Sequence, residues 1–507
     1  MSSAKSEIFM SLGTFLSRSG GFIRNLVIAL VLGTTFLGNT YQSTNAVTNI
    51  LFDLLAAGAF SAALIPYFNE VAHDNALLLK RARSLCGVTF FILGIISILG
   101  VLFSRQLSEL IFQTSTYYNL DQQIELGSNL LKIIMPQLAI YGIGSVAIAL
   151  LQVKRSFMLP AMSPLGNTIV TLIGMLSFFF IYNSKDLNIN IDQTLLLGFT
   201  ATGGVVAAVA IPFIACWRKG FLLYPSLDWS SIKPVLKKAG WGIIPQAVTA
   251  VMLFIANYKA NSIEGGVVAY QLAMVFFLAP YAIVANSIQT VMLTDISIKQ
   301  NELRHKEIID KTIKKMIEIS TFLSFFVIAL SLPAIKILLI GNASDGVTLT
   351  AVSLIVLTLS FVPFVLYQQL VKLSFVFHFT RQIAIYSAMA CIAGVFLTLF
   401  SPYSSNQNIK IAQLSFYFVV LFWGLLMISF YISKNKINES IDSEIKLFVP
   451  VKLVLILLPI TLAFLSTEIF IFSDYPVVPI MISIILLISI VLFKLEELKK
   501  WYKSAHY

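Results

Sequence analysis

The chain has 507 residues, of which 58% are hydrophobic and only 12% are charged, with a mean hydropathy of +0.87. Soluble domains carry about 25% charged residues, so this composition excludes a soluble enzyme or a nucleic-acid-binding domain and points to an all-α polytopic membrane protein. The net charge of +11 is what positively charged cytoplasmic loops produce in such a chain.

A bilayer core takes about 20 apolar residues per helix. On that measure fourteen transmembrane helices are predicted, near 7–35, 42–72, 84–104, 125–153, 160–183, 193–217, 235–260, 266–296, 312–333, 346–371, 379–401, 409–433, 447–468 and 475–497. Only Lys5 offers a basic start, and Arg18 interrupts the first apolar run before any small-residue cleavage site. The first segment is therefore expected to stay as a helix rather than leave as a signal peptide. With both termini in the cytoplasm, the inside loops collect Lys80, Arg81 and Arg83, then Lys154 and Arg155, then Arg218 and Lys219, then Lys311, Lys314 and Lys315. The outside loops offer little beyond Arg105, Lys185, Lys336 and the surroundings of Lys259, as the positive-inside rule requires.

A weak internal repeat divides the chain. VKRSF at 153–157 recurs as VKLSF at 371–375, and Tyr41-Gln42 before the second helix recurs as Tyr270-Gln271 before the eighth. Six helices separate the copies, so the halves share one orientation about an axis along the membrane normal. The expected organisation is an N-terminal lobe over 1–220, a C-terminal lobe over 221–440, and helices thirteen and fourteen with a cytoplasmic tail over 441–507. Prolines inside the segments (Pro160, Pro164, Pro245, Pro280, Pro363) free a carbonyl each and predict kinks, static or mobile.

The stretch that demands a chemical explanation is TFLSRSGGFIRN at 14–25. Arg18 and Arg24 lie roughly 120° apart around a helix and about 9 Å apart along it. A guanidinium at mid-bilayer costs on the order of 3 kcal/mol, so two of them predict a wet or anion-filled cavity; snorkelling or carbonyl capping near a helix end is the bland alternative. Gly20 and Gly21 between them allow a bend or a close approach by another backbone. Asp53, in NILFDLLAAGAF, is the notable intramembrane acid: a counter-ion to one arginine, a proton or cation site, or a group facing a wet cavity. Lys259 and Glu264 are expected to snorkel, and the small-residue run 56–59 to form a close helix contact.

Catalytic signatures are absent: there is no phosphate loop, HExxH, CxxC or nucleophile elbow. Cys86, Cys216 and Cys391 are scattered, and the four histidines have no ligand spacing, so neither a disulfide framework nor a metal site is expected. No catalytic residue and no cofactor are predicted, and coupling to the membrane potential or to a cation stays open.

TFLSRSGGFIRN followed by LVIALVLG, then NILFDLLAAGAFSAALIPYF, resembles the first two helices of the MurJ (MviN) lipid II flippases, part of the MOP superfamily. SFMLPAMSPLGN at 156–167 is similar to that family's entry to helix five, and PYAIVANSIQTVML to its helix eight. The resemblance covers the chain at the level of helix count and is most specific over 10–70 and 150–167. It implies two six-helix lobes in a V around a central cavity plus two further helices. It also implies transport of undecaprenyl-diphosphate-linked peptidoglycan precursor across the bacterial cytoplasmic (inner) membrane by alternating access.

Carried over by position, Arg18 and Arg24 match two cavity arginines that the family needs, and their guanidinium forks suit a diphosphate; Asp53, by its own chemistry, and Asn25 are expected as cavity electrostatic partners. Asn25 stands where the family has an acid, Phe52 and Asp53 where many members have arginines, Val275 where the family has a helix-eight arginine, and Phe379 where it often has an acid. The partners implied are lipid II and membrane lipids, with no nucleic acid, in a monomeric protein. The alternatives are a MOP-type flippase for another undecaprenyl-diphosphate oligosaccharide or a cation-coupled multidrug exporter. An exporter of cationic drugs should present cavity acids rather than paired arginines.

Overall fold

The computed structural model describes residues 3–52, 64, 67–156, 158–182, 189–228, 240–285, 288–289, 292 and 302–441. Asp53, the run 56–59 and the two segments expected beyond residue 441 lie outside the described residues, and so does the side chain of Phe52. All regular structure among the described residues is helical. Its α-helices are α1 (Ser3–Leu32), α2 (Phe36–Phe52), α3 (Asn75–Leu102), α4 (Ser104–Phe112), α5 (Leu120–Ile134), α6 (Gln137–Val153), α7 (Met158–Ile181) and α8 (Ile191–Arg218). They continue with α9 (Ile243–Ala260), α10 (Gly266–Pro280), α11 (Glu302–Leu338), α12 (Val347–Thr358), α13 (Phe361–Val376), α14 (Thr380–Phe400) and α15 (Gln407–Ile441).

Local chemistry moves several boundaries away from the hydropathy reading. Gly33 ends α1 in the left-handed region at φ 70°, where its N–H still reaches Ala29 O at 2.8 Å; only glycine takes that conformation cheaply. Thr35 Oγ1 then accepts from Gly38 N at 3.3 Å, an N-cap that starts α2 at Phe36 rather than at 42. Asp74 accepts from Ala76 N and Leu77 N and starts α3 well before 84, so Lys80, Arg81 and Arg83 belong to a helix end instead of a loop. Pro136 separates α5 from α6 within what hydropathy joins as 125–153, because proline supplies no N–H to the ladder. The amphipathic α4 is too polar to be seen by hydropathy.

Among the described residues, eight helical stretches are long and apolar enough to cross a membrane, with α5 and α6 counted together, or nine when the α12–α13 pair, bent by 52°, is one span. Helix α10 is a shorter apolar helix. Pro280 closes α10, and a π-helical turn follows at Tyr281–Ala285, the local rearrangement expected where the ladder loses a donor.

Within the first eight helices, α7 packs on α1 and α8, and α3 on α6. Within the remainder, α9 packs on α14, and α15 on α12, α13 and α14. That second group has an aromatic core in which Phe277 meets Phe361, Phe364 and Phe418 at ring-centroid distances of 5.5, 5.4 and 5.9 Å. The two groups meet reciprocally: α1 touches α10, α2 touches α9, and α2 touches α10. A two-fold relation between halves generates that set, with α2 and α10 beside the axis.

The sequence repeat is only partly in structural register. Tyr41-Gln42 and Tyr270-Gln271 do face each other, Gln271 Nε2 donating to Gln42 O at 3.2 Å, but both pairs lie inside helices rather than before them. The pentapeptides are not equivalent. Val153 is the last residue of α6, whereas Val371 lies five residues before the end of α13. Equivalence is marked instead by Arg155 and His378, at φ 54° and 60°, which close the turns after α6 and α13.

Candidate functional site

Helix α1 carries Arg18, Arg24 and Asn25 onto the wall of one cavity of 1080 Å³. Gly20 faces α7, where a Cβ would lie 2.9 Å from Leu165 Cδ2, while Gly21 opens onto space with nothing within 4 Å. The glycine pair thus permits a close approach on one side and keeps the cavity clear on the other. Arg18 is exposed to the cavity. Arg24 is half-buried, and its Nε is buried without a hydrogen-bond partner.

Among the described residues neither arginine has an ion-pair partner. The ion pairs of Arg81 with Glu70 at 3.0 Å and Arg105 with Glu109 at 3.3 Å lie elsewhere. An uncompensated buried charge costs several kcal/mol, so an anion has a standing advantage at this wall. Asn25 sits on the same wall, but its amide nitrogen donates to Gly21 O at 3.0 Å, one turn back on its own helix. Asp53 lies outside the described residues, as does any pairing with it.

Sequence reasoning missed the rest of the polar wall. Asn45 and Asn49 come from α2, Gln137 and Tyr141 from α6, and Asn167 and Thr171 from α7. Tyr141 Oη donates to Asn49 Oδ1 at 3.3 Å, and Thr171 Oγ1 to Asn167 Oδ1 at 2.9 Å. Both asparagine oxygens are engaged, which leaves the amide nitrogens as donors. With two guanidinium groups beside them, this wall suits an oxygen-rich anion such as a phosphate or diphosphate. The available signal was polar residues recurring in otherwise apolar helices. Across the cavity, α10 and its π-turn contribute Val275, Leu278, Ala279 and Ala282, so Val275, which the resemblance matches to a helix-eight arginine, does line the cavity.

The cavity is sealed at the end where α1 passes into α2. Asn39 Oδ1 accepts from Val267 N at 3.0 Å and Val268 N at 3.4 Å, the second and third residues of α10. Gly265, at the N-cap position of α10, provides no side-chain cap, so that helix takes its cap from α2. Ser43 Oγ donates to Asn261 Oδ1 at 3.0 Å, and Asn261 Nδ2 to Ile111 O at 3.2 Å. Gly265 N donates to Tyr118 Oη at 3.0 Å, and burial pushes that phenol up to about 12. The start of α2, which is helix from Phe36 onward, thus lies against the start of α10. Among the described residues no cluster of three or more His, Cys, Asp or Glu could hold a metal ion, and Cys86, Cys216 and Cys391 are free and buried.

Residues 28–489 match the family profile described as "Lipid II flippase MurJ". A protein of Buchnera aphidicola subsp. Schizaphis graminum named "Probable lipid II flippase MurJ" is 23% identical, over 94% of this chain and 99% of its own. Its namesake from Buchnera aphidicola subsp. Acyrthosiphon pisum is 26% identical, over 67% of this chain, which spans 66% of that relative's length. A solved structure titled lipid II flippase MurJ, inward closed conformation, is similar with a TM-score of 0.75 at 19% identity, covering 97% of this chain and 100% of that one.

Proposed function

Because the chain belongs to the lipid II flippase MurJ family, a family of membrane transporters rather than enzymes, we propose that it carries lipid II across the bacterial cytoplasmic membrane, with Arg18 and Arg24 holding the diphosphate. The observation that supports this most is the pair of guanidinium groups on one cavity wall, without ion-pair partners among the described residues. The planar fork of arginine matches phosphate oxygens bidentately. The polyprenyl tail stays in lipid while the head group crosses the polar cavity.

In this reading the N-terminal lobe is 1–220, the C-terminal lobe 221–440, and 441–507 is an appendage to them. Both termini face the cytoplasm, the protein acts as a monomer, and the sealed end of the cavity faces outward. Alternating access opens that seal and closes the cytoplasmic mouth around the same two arginines. A donor-rich, arginine-bearing wall disfavours cationic drugs as cargo.

The test is genetic replacement. In cells depleted of their own flippase, Arg18→Lys and Arg24→Lys should support growth partly, and the double Arg18→Ala, Arg24→Ala variant not at all. Full growth on the double alanine variant, present in the membrane at normal levels, sinks the assignment.

A further inference from the structure

Among the described residues of this wall, Gln137 is the one whose acceptor is both buried and orphaned. The residue is 1% exposed, it lines the cavity at the start of α6, and its Oε1 has no hydrogen-bond partner. The amide orientation follows from its neighbours. Thr202 Oγ1 gives its proton to Ile133 O at 2.7 Å, so toward Gln137 it can only accept. Gln137 Nε2 accordingly donates to Thr202 Oγ1 at 3.2 Å, which fixes the oxygen on the other branch. A buried acceptor in that position is satisfied only by a group that brings a hydrogen.

The guanidinium groups and the amide nitrogens of Asn49 and Asn167 take the oxygens of a ligand; Gln137 needs a ligand N–H or O–H. A diphosphate ester on a bare prenyl chain is rich in acceptors and poor in donors. The same diphosphate carrying a sugar brings hydroxyl and acetamido hydrogens within one group of the phosphates. We propose that Gln137 is a specificity-determining residue that reads a sugar hydroxyl or amide N–H next to the diphosphate, and so admits the glycosylated carrier in preference to the bare one. This rests on the reading of the cavity as a diphosphate site. Sites that hydrogen-bond a ligand donor reject the analogue lacking it far more strongly than apolar pockets reject a missing methylene.

The test compares two probes on the full-length protein in lipid nanodiscs: short-chain lipid II and the prenyl diphosphate of equal chain length, each by direct binding. Wild-type protein should prefer the glycosylated probe by at least about tenfold. Gln137→Met, which keeps the side-chain length and removes the oxygen, should bring the two affinities within about threefold by weakening the glycosylated probe alone. Gln137→Glu retains an acceptor; its charge should weaken both probes and preserve the preference. If Gln137→Met does not fold, Thr202→Val, which releases the amide from its orienting hydroxyl, should lower the preference in its place. The inference is overturned by a wild-type preference near one, by an equal loss of both probes in Gln137→Met, or by a preference that collapses in Gln137→Glu. Wild-type protein that binds neither probe would instead sink the diphosphate reading beneath it.

Discussion

Removing the side chain of Asn39 should open the sealed end. Its Oδ1 accepts two backbone N–H groups of α10, and both Val267 and Val268 are fully buried. In Asn39→Ala those donors lose their partner without gaining water. Loss of an N-cap costs about 0.5–2 kcal/mol, and a buried donor left unsatisfied about 1–3 kcal/mol. The sealed state alone carries this loss, because separation of α2 from α10 hydrates the N–H groups. A shift of about 1–3 kcal/mol between two states is about 5- to 150-fold in their ratio.

The assay is the labelling rate of a single cysteine at Ala46, one side of the small space below the seal, in a background without Cys86, Cys216 and Cys391, with a membrane-impermeant maleimide outside. Asn39→Ala should raise that rate at least about fivefold. Asn39→Asp keeps the acceptor and places negative charge at a helix N-terminus, so it should label no faster than the parent. An unchanged rate in Asn39→Ala, or an equal rise in Asn39→Asp, refutes the borrowed-cap reasoning.

Three further outcomes test the seal and the cavity arginines. A Ser43→Cys, Asn261→Cys pair, replacing side chains whose oxygens lie 3.0 Å apart, should crosslink on oxidation, block transport and recover on reduction; a quantitative disulfide that leaves transport intact removes the seal from the transport cycle. If Asp53 pairs with a cavity arginine, Asp53→Asn should cost less lipid binding than Arg24→Ala, and the double variant should deviate from additivity; strictly additive losses dismiss the pairing. Burial holds the Tyr118 phenol at about 12 against an ordinary value of about 10. The stabilisation from its neutral form is therefore complete below about pH 10 and lost as pH climbs toward 12. Labelling at Ala46, divided at each pH by the rate of a fully exposed cysteine to remove the thiol's own ionisation, should stay flat between about pH 6 and 9, and a step in that ratio would assign the seal's titration to another group.

Much of the membrane architecture was legible because hydropathy is a strong signal over 20 or so residues. The long apolar helices α7, α8 and α14 fall close to their predicted bounds. Errors concentrate where a single residue sets the backbone: Gly33 and Thr35 at the start of α2, Asp74 before α3, Pro136 inside one apparent span. The arginines announced the cavity, since charge in an apolar helix needs a reason. Gln137, Asn49 and Asn167 did not announce themselves, because an amide in a membrane helix is common enough to be read as packing. Helices α1 and α2 carry the polar groups of the wall and the seal, which is where hydropathy alone says least.

The contrast between the two cavity walls has a consequence for energetics. Among the described residues, the side chains able to bind a polar head group all come from the first half, and the facing half offers only Val275, Leu278, Ala279 and Ala282. In the proposed rocking cycle, a head group held this way would keep its contacts as the second half swings past it. A ligand that binds two states equally shifts neither, so cargo neither traps the carrier on one side nor drives it to the other. On that reading the protein would return empty about as easily as it crosses loaded, and, without coupling to the membrane potential or a cation, net flow would be set by synthesis of the lipid on one face of the membrane and its consumption on the other.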